Sequence, residues 1–197
     1  MEPILYKIAK PIITILFKIL YRPTIVGKEN IPKKGRIVLA GNHTNNFDCL
    51  LLISSTKRCI HFLAKAELMK GSKKIIFKNM GIIPVNRKIK DKKSLQTAIE
   101  TLNHDKTIGI FPEGTINRTN DIIMPFKIGA VKMAYETNAL IVPFSITGKY
   151  KLFNNKLKII FGEPFKITDS NLDNENKKLM DKVSDLILKG NENGKNN

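Results

Sequence analysis

His43 and Asp48 are the residues of this chain whose types and spacing most readily suggest chemistry. They stand five positions apart, directly after the short apolar run 37–40. That run predicts a buried strand, and in an open α/β sheet catalytic groups collect where strands end. A histidine, with an ordinary pKa near 6.5, suits a general base, and a carboxylate on its other ring nitrogen would fix its tautomer. Spacing alone also fits a capping or structural pair.

Cys49 raises a rival chemistry, that of a thiol nucleophile beside Asp48. Its followers Leu50, Leu51 and Leu52 instead indicate a buried, inert thiol. The second cysteine, Cys59, is too far away to suggest a metal site, so we expect no metal. No secretory cleavage pattern precedes the cysteines, which favours reduced thiols in a cytoplasmic setting.

A second polar stretch follows the apolar run 107–111 and reads PEGTINR from position 112 to 118. A strand that runs into such a turn exposes backbone N–H groups, and Gly114 permits the close approach of an anion. Arg118, and Arg87 after a third apolar run, would add bidentate phosphate bonds. Each arginine taken separately is more commonly a solvated surface residue.

Apolar runs and amphipathic segments alternate along the chain, which predicts an α/β fold with a mostly parallel central sheet flanked by helices. Strand ends in such a sheet share one edge, so the three polar clusters are expected to converge. Strands are predicted at 24–27, 35–40, 60–64, 81–87 (an edge strand, because of Pro84), 107–111, 140–146 and 157–161. Helices are predicted from 49, at 67–79, 91–103 and 126–137, and at 171–189, where Gly190 would stop the last one.

The first segment, 3–21, is apolar except for a narrow stripe formed by Lys7, Lys10, Thr14 and Lys18. Each lysine would cost about 3 kcal/mol at the middle of a bilayer, so an amphipathic helix lying in the membrane interface is favoured. Pro11 would kink or divide it. A core helix and a true span are the alternatives. The predicted division is 1–22 for the interface helix, 23–190 for one domain and 191–197 for a disordered tail.

Basic residues exceed acidic ones by 34 to 17, a formal charge of +17. Such an excess suggests polyanionic partners: nucleic acid, anionic lipid or phosphorylated substrates. Arginines are few, and they are the more informative cations because a guanidinium suits bidentate phosphate binding.

Four motifs in order carry a family resemblance: His43-x4-Asp48, GIIPVNR ending at Arg87, FPEGT ending at Thr115, and IVPF at 141–144. They resemble the motifs of the glycerolipid acyltransferases, typified by the 1-acyl-glycerol-3-phosphate acyltransferases. One such motif would be weak, but four at plausible spacing over 24–165 are strong. The segment PFK-x-GA at 125–130, which contains Lys127, also resembles one that follows the third motif.

The resemblance implies transfer of a fatty acyl group from a thioester, acyl-CoA or acyl carrier protein, to a hydroxyl of a lysophospholipid, with no other cofactor. By carry-over, His43 would deprotonate the hydroxyl and Asp48 would orient His43. The acceptor site would comprise Arg87, on the phosphate, with Glu113, Gly114, Thr115, Arg118 and Lys127. Val142 and Pro143 would line the acyl side. Glu113 would accept from a substrate hydroxyl or hold an arginine in place.

One departure concerns the third motif, which the family often follows with Arg-Ser where this chain has Ile116-Asn117. A phosphate-binding cation is then missing unless Arg118 or Lys127 replaces it, which leaves the acceptor's identity open. Lysophosphatidic acid is the leading acceptor; glycerol 3-phosphate or another lysolipid is the alternative. The expected location is the cytoplasmic face of the cell membrane, peripheral or monotopic.

A rival of another class is a non-catalytic basic protein that binds lipid or nucleic acid. It is disfavoured because no nucleic-acid module is recognisable and tryptophan is absent. A metal-dependent hydrolase is disfavoured because three histidines stand without ligand spacing.

Overall fold

The central feature is a seven-stranded sheet in the order β1-β7-β6-β2-β5-β3-β4, seen in a computed structural model that describes residues 2–69, 71, 73–86, 89 and 91–192. The strands are β1 Thr24–Val26, β2 Ile37–Gly41, β3 Ile60–Lys65, β4 Ile83–Val85, β5 Thr107–Ile110, β6 Leu140–Thr147 and β7 Lys158–Phe161. Among the pairings of these seven strands in the described residues, only β6–β7 is antiparallel. The prediction of a mostly parallel α/β sheet is confirmed, and β4 is the edge strand that Pro84 indicated.

Helices cover both faces of this sheet. They are α1 Ile4–Leu20, α2 Asp48–Ser55, α3 Lys73–Asn79, α4 Lys92–Asn103, α5 Gly129–Thr137 and α6 Leu172–Glu192. Alternate residues of β2 point to opposite faces, as the pleat requires. Val38 and Ala40 pack with α4, α5 and α6, whereas Ile37 and Leu39 pack with α1 and α2. The central strands are therefore buried on both sides.

The helix α1 uses only one of its faces to contact the domain. Tyr6 and Phe17 are buried, and the Tyr6 hydroxyl accepts a hydrogen bond from the backbone N–H of Ile60. The opposite face exposes six large apolar side chains to solvent: Ile4, Ile8, Ile12, Ile15, Leu16 and Ile19. Pro11 lies within the helix and does not divide it. The buried side chains fit the core-helix alternative for one face of α1, and the contact of the other face with a membrane interface stays a prediction.

Within the described residues, none of the helices combines the length and the apolar character needed to cross a membrane.

Three predicted helix boundaries were wrong. The segment 67–79 is a 3-10 turn, Ala66–Met69, followed by α3, and Gly71 between them has φ +63°. The helix predicted from 126 begins at Gly129. The last helix does not stop at Gly190 but continues to Glu192, so residues 191 and 192 are helical; the rest of the predicted disordered tail lies outside the described residues.

Gly190 is explained by packing rather than by helix termination. A Cβ atom at this position would lie 2.7 Å from the Thr147 Oγ1 of β6, too close for any other residue without a shift. The Lys158 side chain of β7 donates to the carbonyl oxygen of Gly190 at 3.3 Å. The glycine therefore lets α6 approach the sheet closely.

Candidate active site

The loop between β2 and α2 brings His43 and Asp48 into direct contact. Asp48 is the first residue of α2, and its carboxylate Oδ2 lies 2.8 Å from the Nδ1 atom of His43. Asp48 is fully buried, whereas the His43 side chain keeps 15% of its surface exposed. With Nδ1–H donating to the carboxylate, Nε2 is the ring nitrogen left to accept a proton.

Asp48 accepts four further hydrogen bonds that fix its carboxylate. The backbone N–H groups of Thr44 and Asn45 donate to Oδ2 at 2.6 and 2.8 Å. The Thr44 hydroxyl donates to Oδ1 at 3.1 Å, and the Tyr150 hydroxyl donates to Oδ1 at 2.6 Å. A buried carboxylate needs such donors to offset its loss of hydration. The loop is therefore folded around Asp48, which holds one orientation toward His43.

Tyr150 reaches Asp48 from the loop that follows β6. Burial, and then the negative charge of Asp48, raise the pKa of the Tyr150 phenol well above its usual range. The hydroxyl therefore stays protonated and remains a donor. Its ring lies edge-on to Tyr21 at 5.7 Å and near Phe47 at 6.0 Å, so an aromatic cluster joins the end of α1 to the loop that carries His43.

The ring of Phe111 stacks on the imidazole of His43. Phe111 follows β5, and the two ring centroids are 4.2 Å apart, with a tilt of 16°. The ring of Phe62 is nearly parallel to that of Phe111, with 6.4 Å between their centroids. The aromatic stack and the Asp48 contact together restrict rotation of the His43 side chain.

Glu113 joins the loop after β5 to the loop after β2. Its Oε1 accepts the backbone N–H of His43 at 2.7 Å, and its Oε2 accepts that of Met124 at 2.9 Å. Burial raises the pKa of this carboxyl, against the opposing effect of the two backbone donors. Glu113 is only 3% exposed, so these contacts give it a loop-joining role that the sequence did not predict. Its contact with substrate stays a prediction.

The two loops are also joined through the backbone, because the N–H of Asn117 donates to the carbonyl oxygen of His43 at 2.8 Å. Two of the three polar clusters therefore converge on one site, as the sequence predicted. The third cluster, Asn86-Arg87, is described only at Asn86, whose backbone N–H donates to the carboxylate of Asp91 at 2.8 Å. Arg87, the predicted phosphate ligand, lies outside the described residues.

The remaining predicted acceptor residues border the turn after Glu113. Gly114 has φ +75°, and a Cβ there would lie 2.9 Å from the Nζ and Cε atoms of Lys127, so the lysine side chain lies against this turn. Thr115, Lys127 and Arg118 are all exposed. Within the part of the chain described, Arg118 makes no hydrogen bond or ion pair. The structure thus brings Gly114 and Lys127 together and leaves the charged groups of Lys127 and Arg118 at the surface.

Val142 and Pro143 are buried in β6. Pro143 pairs with Ala40 of β2, and Val142 packs with Phe144 on the face covered by α1. Their predicted contact with the acyl chain stays a prediction.

Three supporting residues went unnoticed in the sequence. Tyr150 contacts Asp48 directly and Phe111 contacts His43 directly, as described above. The buried Asn42 exchanges two hydrogen bonds with the backbone of Ile146, at 2.9 and 2.7 Å, and so ties the start of the loop to β6. A signal existed for Phe111, which ends a predicted strand and is the first residue of the FPEGT motif. Tyr150 carried none, because it stands 102 positions from Asp48.

The architecture is that of an α/β enzyme: a mostly parallel sheet has helices on both faces, and a histidine hydrogen-bonded to a carboxylate lies at the carboxyl ends of its strands. The family model described as "Acyltransferase" matches residues 22–147, which is well over half of the chain. The chain therefore belongs to the acyltransferase family.

Named relatives agree with this membership. A 1-acyl-sn-glycerol-3-phosphate acyltransferase of Bacillus subtilis (strain 168) is 30% identical over 174 residues, 84% of each chain. One of Borreliella burgdorferi is 36% identical over 132 residues, 66% of this chain, and the match spans 52% of that protein. The crystal structure of the 1-acyl-sn-glycerophosphate (LPA) acyltransferase PlsC from Thermotoga maritima has a TM-score of 0.74 at 24% identity, covering 94% of this chain and 77% of that one. This last likeness shows the fold.

Proposed function

We propose that this chain transfers a fatty acyl group from a thioester donor, acyl-CoA or acyl carrier protein, to the free hydroxyl of lysophosphatidic acid. The product is phosphatidic acid, an early phospholipid. The single observation that carries the chemistry is the contact between His43 Nδ1 and Asp48, which leaves Nε2 as a proton acceptor at the edge of the site. The acceptor is suggested by the names of the relatives, and the thioester donor by the motif resemblance.

In the proposed reaction, Nε2 of His43 takes the proton of the acceptor hydroxyl as that oxygen attacks the thioester carbonyl carbon. Asp48 stabilises the imidazolium that forms. The tetrahedral intermediate then collapses, the carbon–sulfur bond breaks, and the imidazolium returns the proton to the leaving thiolate. The thioester supplies the driving force, so the mechanism uses no nucleophile from the protein.

The acceptor phosphate is assigned to the cations around the turn at Gly114. Lys127 lies against that turn, and Arg118 is exposed in the same loop. Arg87 is kept as the principal phosphate ligand on the strength of its motif. Replacing Arg87 by Ala is expected to raise the KM for a phosphorylated acceptor far more than the KM for the donor. Equal effects on both would argue against a phosphate role.

Attachment to the surface of a membrane is assigned to α1, with the site on the cytoplasmic face. The six apolar side chains exposed on one helix face would be stabilised in the acyl region of a lipid leaflet, and the exposed Lys7 and Lys18 suit anionic headgroups. Deleting residues 1–21 removes buried Tyr6 and Phe17 as well. A gentler test therefore replaces Ile12 and Ile15 by Ser and measures co-sedimentation with anionic vesicles, which we expect to fall. Unchanged sedimentation would contradict the attachment.

The reaction itself is tested by thiol release. The full chain is assayed with acyl-CoA and acyl carrier protein donors against lysophosphatidic acid, other lysolipids and glycerol 3-phosphate. Highest kcat/KM with lysophosphatidic acid is expected. A preference for another acceptor would assign a related acyl transfer, which the Ile116-Asn117 departure would then explain. Release with no acceptor would contradict the proposal.

A further inference from the structure

The loop at 148–156, between β6 and β7, presents two large apolar side chains to solvent. Leu152 is 54% exposed and Phe153 is 62% exposed. Phe153 also has φ +56°, a conformation that L-residues with bulky side chains rarely adopt. The loop is held in this form by a backbone hydrogen bond of 2.6 Å from the N–H of Phe153 to the carbonyl oxygen of Leu20, the last residue of α1. The exposed pair is therefore fixed beside the end of that helix.

Basic residues surround this apolar pair. Lys149, Lys151 and Lys156 lie in the same loop and are exposed, and no acidic residue occurs between positions 148 and 156. Exposed aromatic and aliphatic side chains flanked by lysines complement an anionic lipid surface, because the apolar groups enter the interface while the ammonium groups meet phosphates. A protein partner would more often meet a broader apolar patch with a mixed-charge rim.

The loop continues the surface already assigned to lipid. Leu16 and Ile19, at the end of α1, are among the exposed apolar residues of that helix, and they precede Leu20 by four residues and one residue. Both α1 and Tyr150 belong to the side of the sheet opposite α6. One lipid surface can therefore meet the helix end and the loop together.

We propose that the loop 148–156 is a second lipid-contacting element, in which Leu152 and Phe153 enter the interface of an anionic bilayer while its lysines contact lipid phosphates. The inference rests on the proposed attachment through α1 and adds a separate contact to it. Tyr150, two residues before Leu152, bonds Asp48, so the same loop that meets lipid also contacts the catalytic pair. A lysolipid leaving the bilayer at this loop would arrive next to His43.

The absence of tryptophan from the sequence makes a direct test possible. Three single variants of the full chain each carry one tryptophan as a fluorescent probe. F153W reports on the loop, I12W reports on the exposed face of α1, and L188W on α6 is the control. Leu188 is similarly exposed, at 45%, but lies on the helix that covers the opposite face of the sheet. Emission is recorded with vesicles of phosphatidylcholine alone and with added phosphatidylglycerol, and depth is measured by brominated lipids.

The expected result is a blue shift and quenching by bromine for F153W and I12W with anionic vesicles, and neither for L188W. A shift of I12W without one of F153W would overturn the loop proposal and leave the attachment of α1 in place. No shift of either would contradict both. A shift of F153W that grows with protein concentration in the absence of vesicles would assign the loop to self-association instead, and would also overturn the proposal.

A second variant separates binding from catalysis. The double change L152S/F153S should weaken partitioning onto anionic vesicles by about tenfold, because two large apolar side chains no longer enter the interface. Turnover of a short-chain acceptor dissolved in water should stay at the wild-type level, because neither residue contacts His43 or Asp48. Unchanged partitioning would contradict the inference.

Discussion

Replacing Tyr150 by Phe isolates one hydrogen bond to Asp48, because it removes the hydroxyl and keeps the ring. The carboxylate of Asp48 then keeps four of its five donors: the ring of His43, the two groups of Thr44 and the backbone N–H of Asn45. A hydrogen bond to a charged group contributes about 1.5–3 kcal/mol, so the free energy of unfolding should fall by that amount.

The effect of this change on the activation free energy should be smaller than its effect on the free energy of unfolding. If about 1 kcal/mol of the loss is expressed as poorer orientation of His43, kcat falls about fivefold. The KM values for donor and acceptor should change little, because the Tyr150 hydroxyl acts on the orientation of Asp48 and His43 rather than on substrate binding.

The assay is thiol release over a range of acceptor concentrations, with urea unfolding in parallel. Tyr21→Phe is the matched control, since Tyr21 shares the aromatic cluster and its hydroxyl is not among the donors to Asp48. The control should keep the wild-type kcat. If Tyr150→Phe lowers stability but leaves kcat unchanged, Tyr150 is only a structural residue and the reasoning is refuted.

Two further predictions concern buried titratable groups. Glu113→Gln should lower the free energy of unfolding by about 1–3 kcal/mol, because the amide can accept from only one of the backbone N–H groups of His43 and Met124; an unchanged urea midpoint would count against the loop-joining role. Burial lowers the pKa of His61, whose Nδ1 lies 2.9 Å from the carbonyl oxygen of Gly81. Below about pH 6.5, His61 of the unfolded chain binds a proton more readily than buried His61 of the folded protein, so the free energy of unfolding should decrease as the pH is lowered. The variant His61→Gln should show a weaker dependence on pH, and an equal dependence in variant and wild type would contradict this prediction.

The sheet could be predicted because its strands are short apolar runs separated by turn residues, and the runs at 37–40 and 140–146 are buried on both faces. Helix ends were harder. A glycine at position 190 predicts the end of a helix, but its role here is to let α6 pack closely against Thr147, which is seen only in the packing. Gly71 interrupts a segment whose pattern alone suggested one helix.

For the site, local spacing was sufficient to pair His43 with Asp48, since the loop that separates them is short. It was not sufficient for Glu113 or Tyr150. A glutamate in a turn reads as a ligand for substrate, whereas burial and two backbone donors make it a link between loops. Tyr150 contacts Asp48 only because β6 lies beside β2 in the sheet, a pairing that no local pattern encodes.

The central claim is that His43 is the base that activates the acceptor hydroxyl. The most direct measurement is kcat for thiol release from acyl-CoA or acyl carrier protein with lysophosphatidic acid, comparing His43→Ala with the wild type. His104→Ala is the control, since His104 is an exposed histidine at the end of α4. The account predicts a loss of about 10²–10⁴-fold for His43→Ala alone, with vesicle binding and unfolding cooperativity retained. A His43→Ala enzyme with kcat near that of the wild type would contradict it.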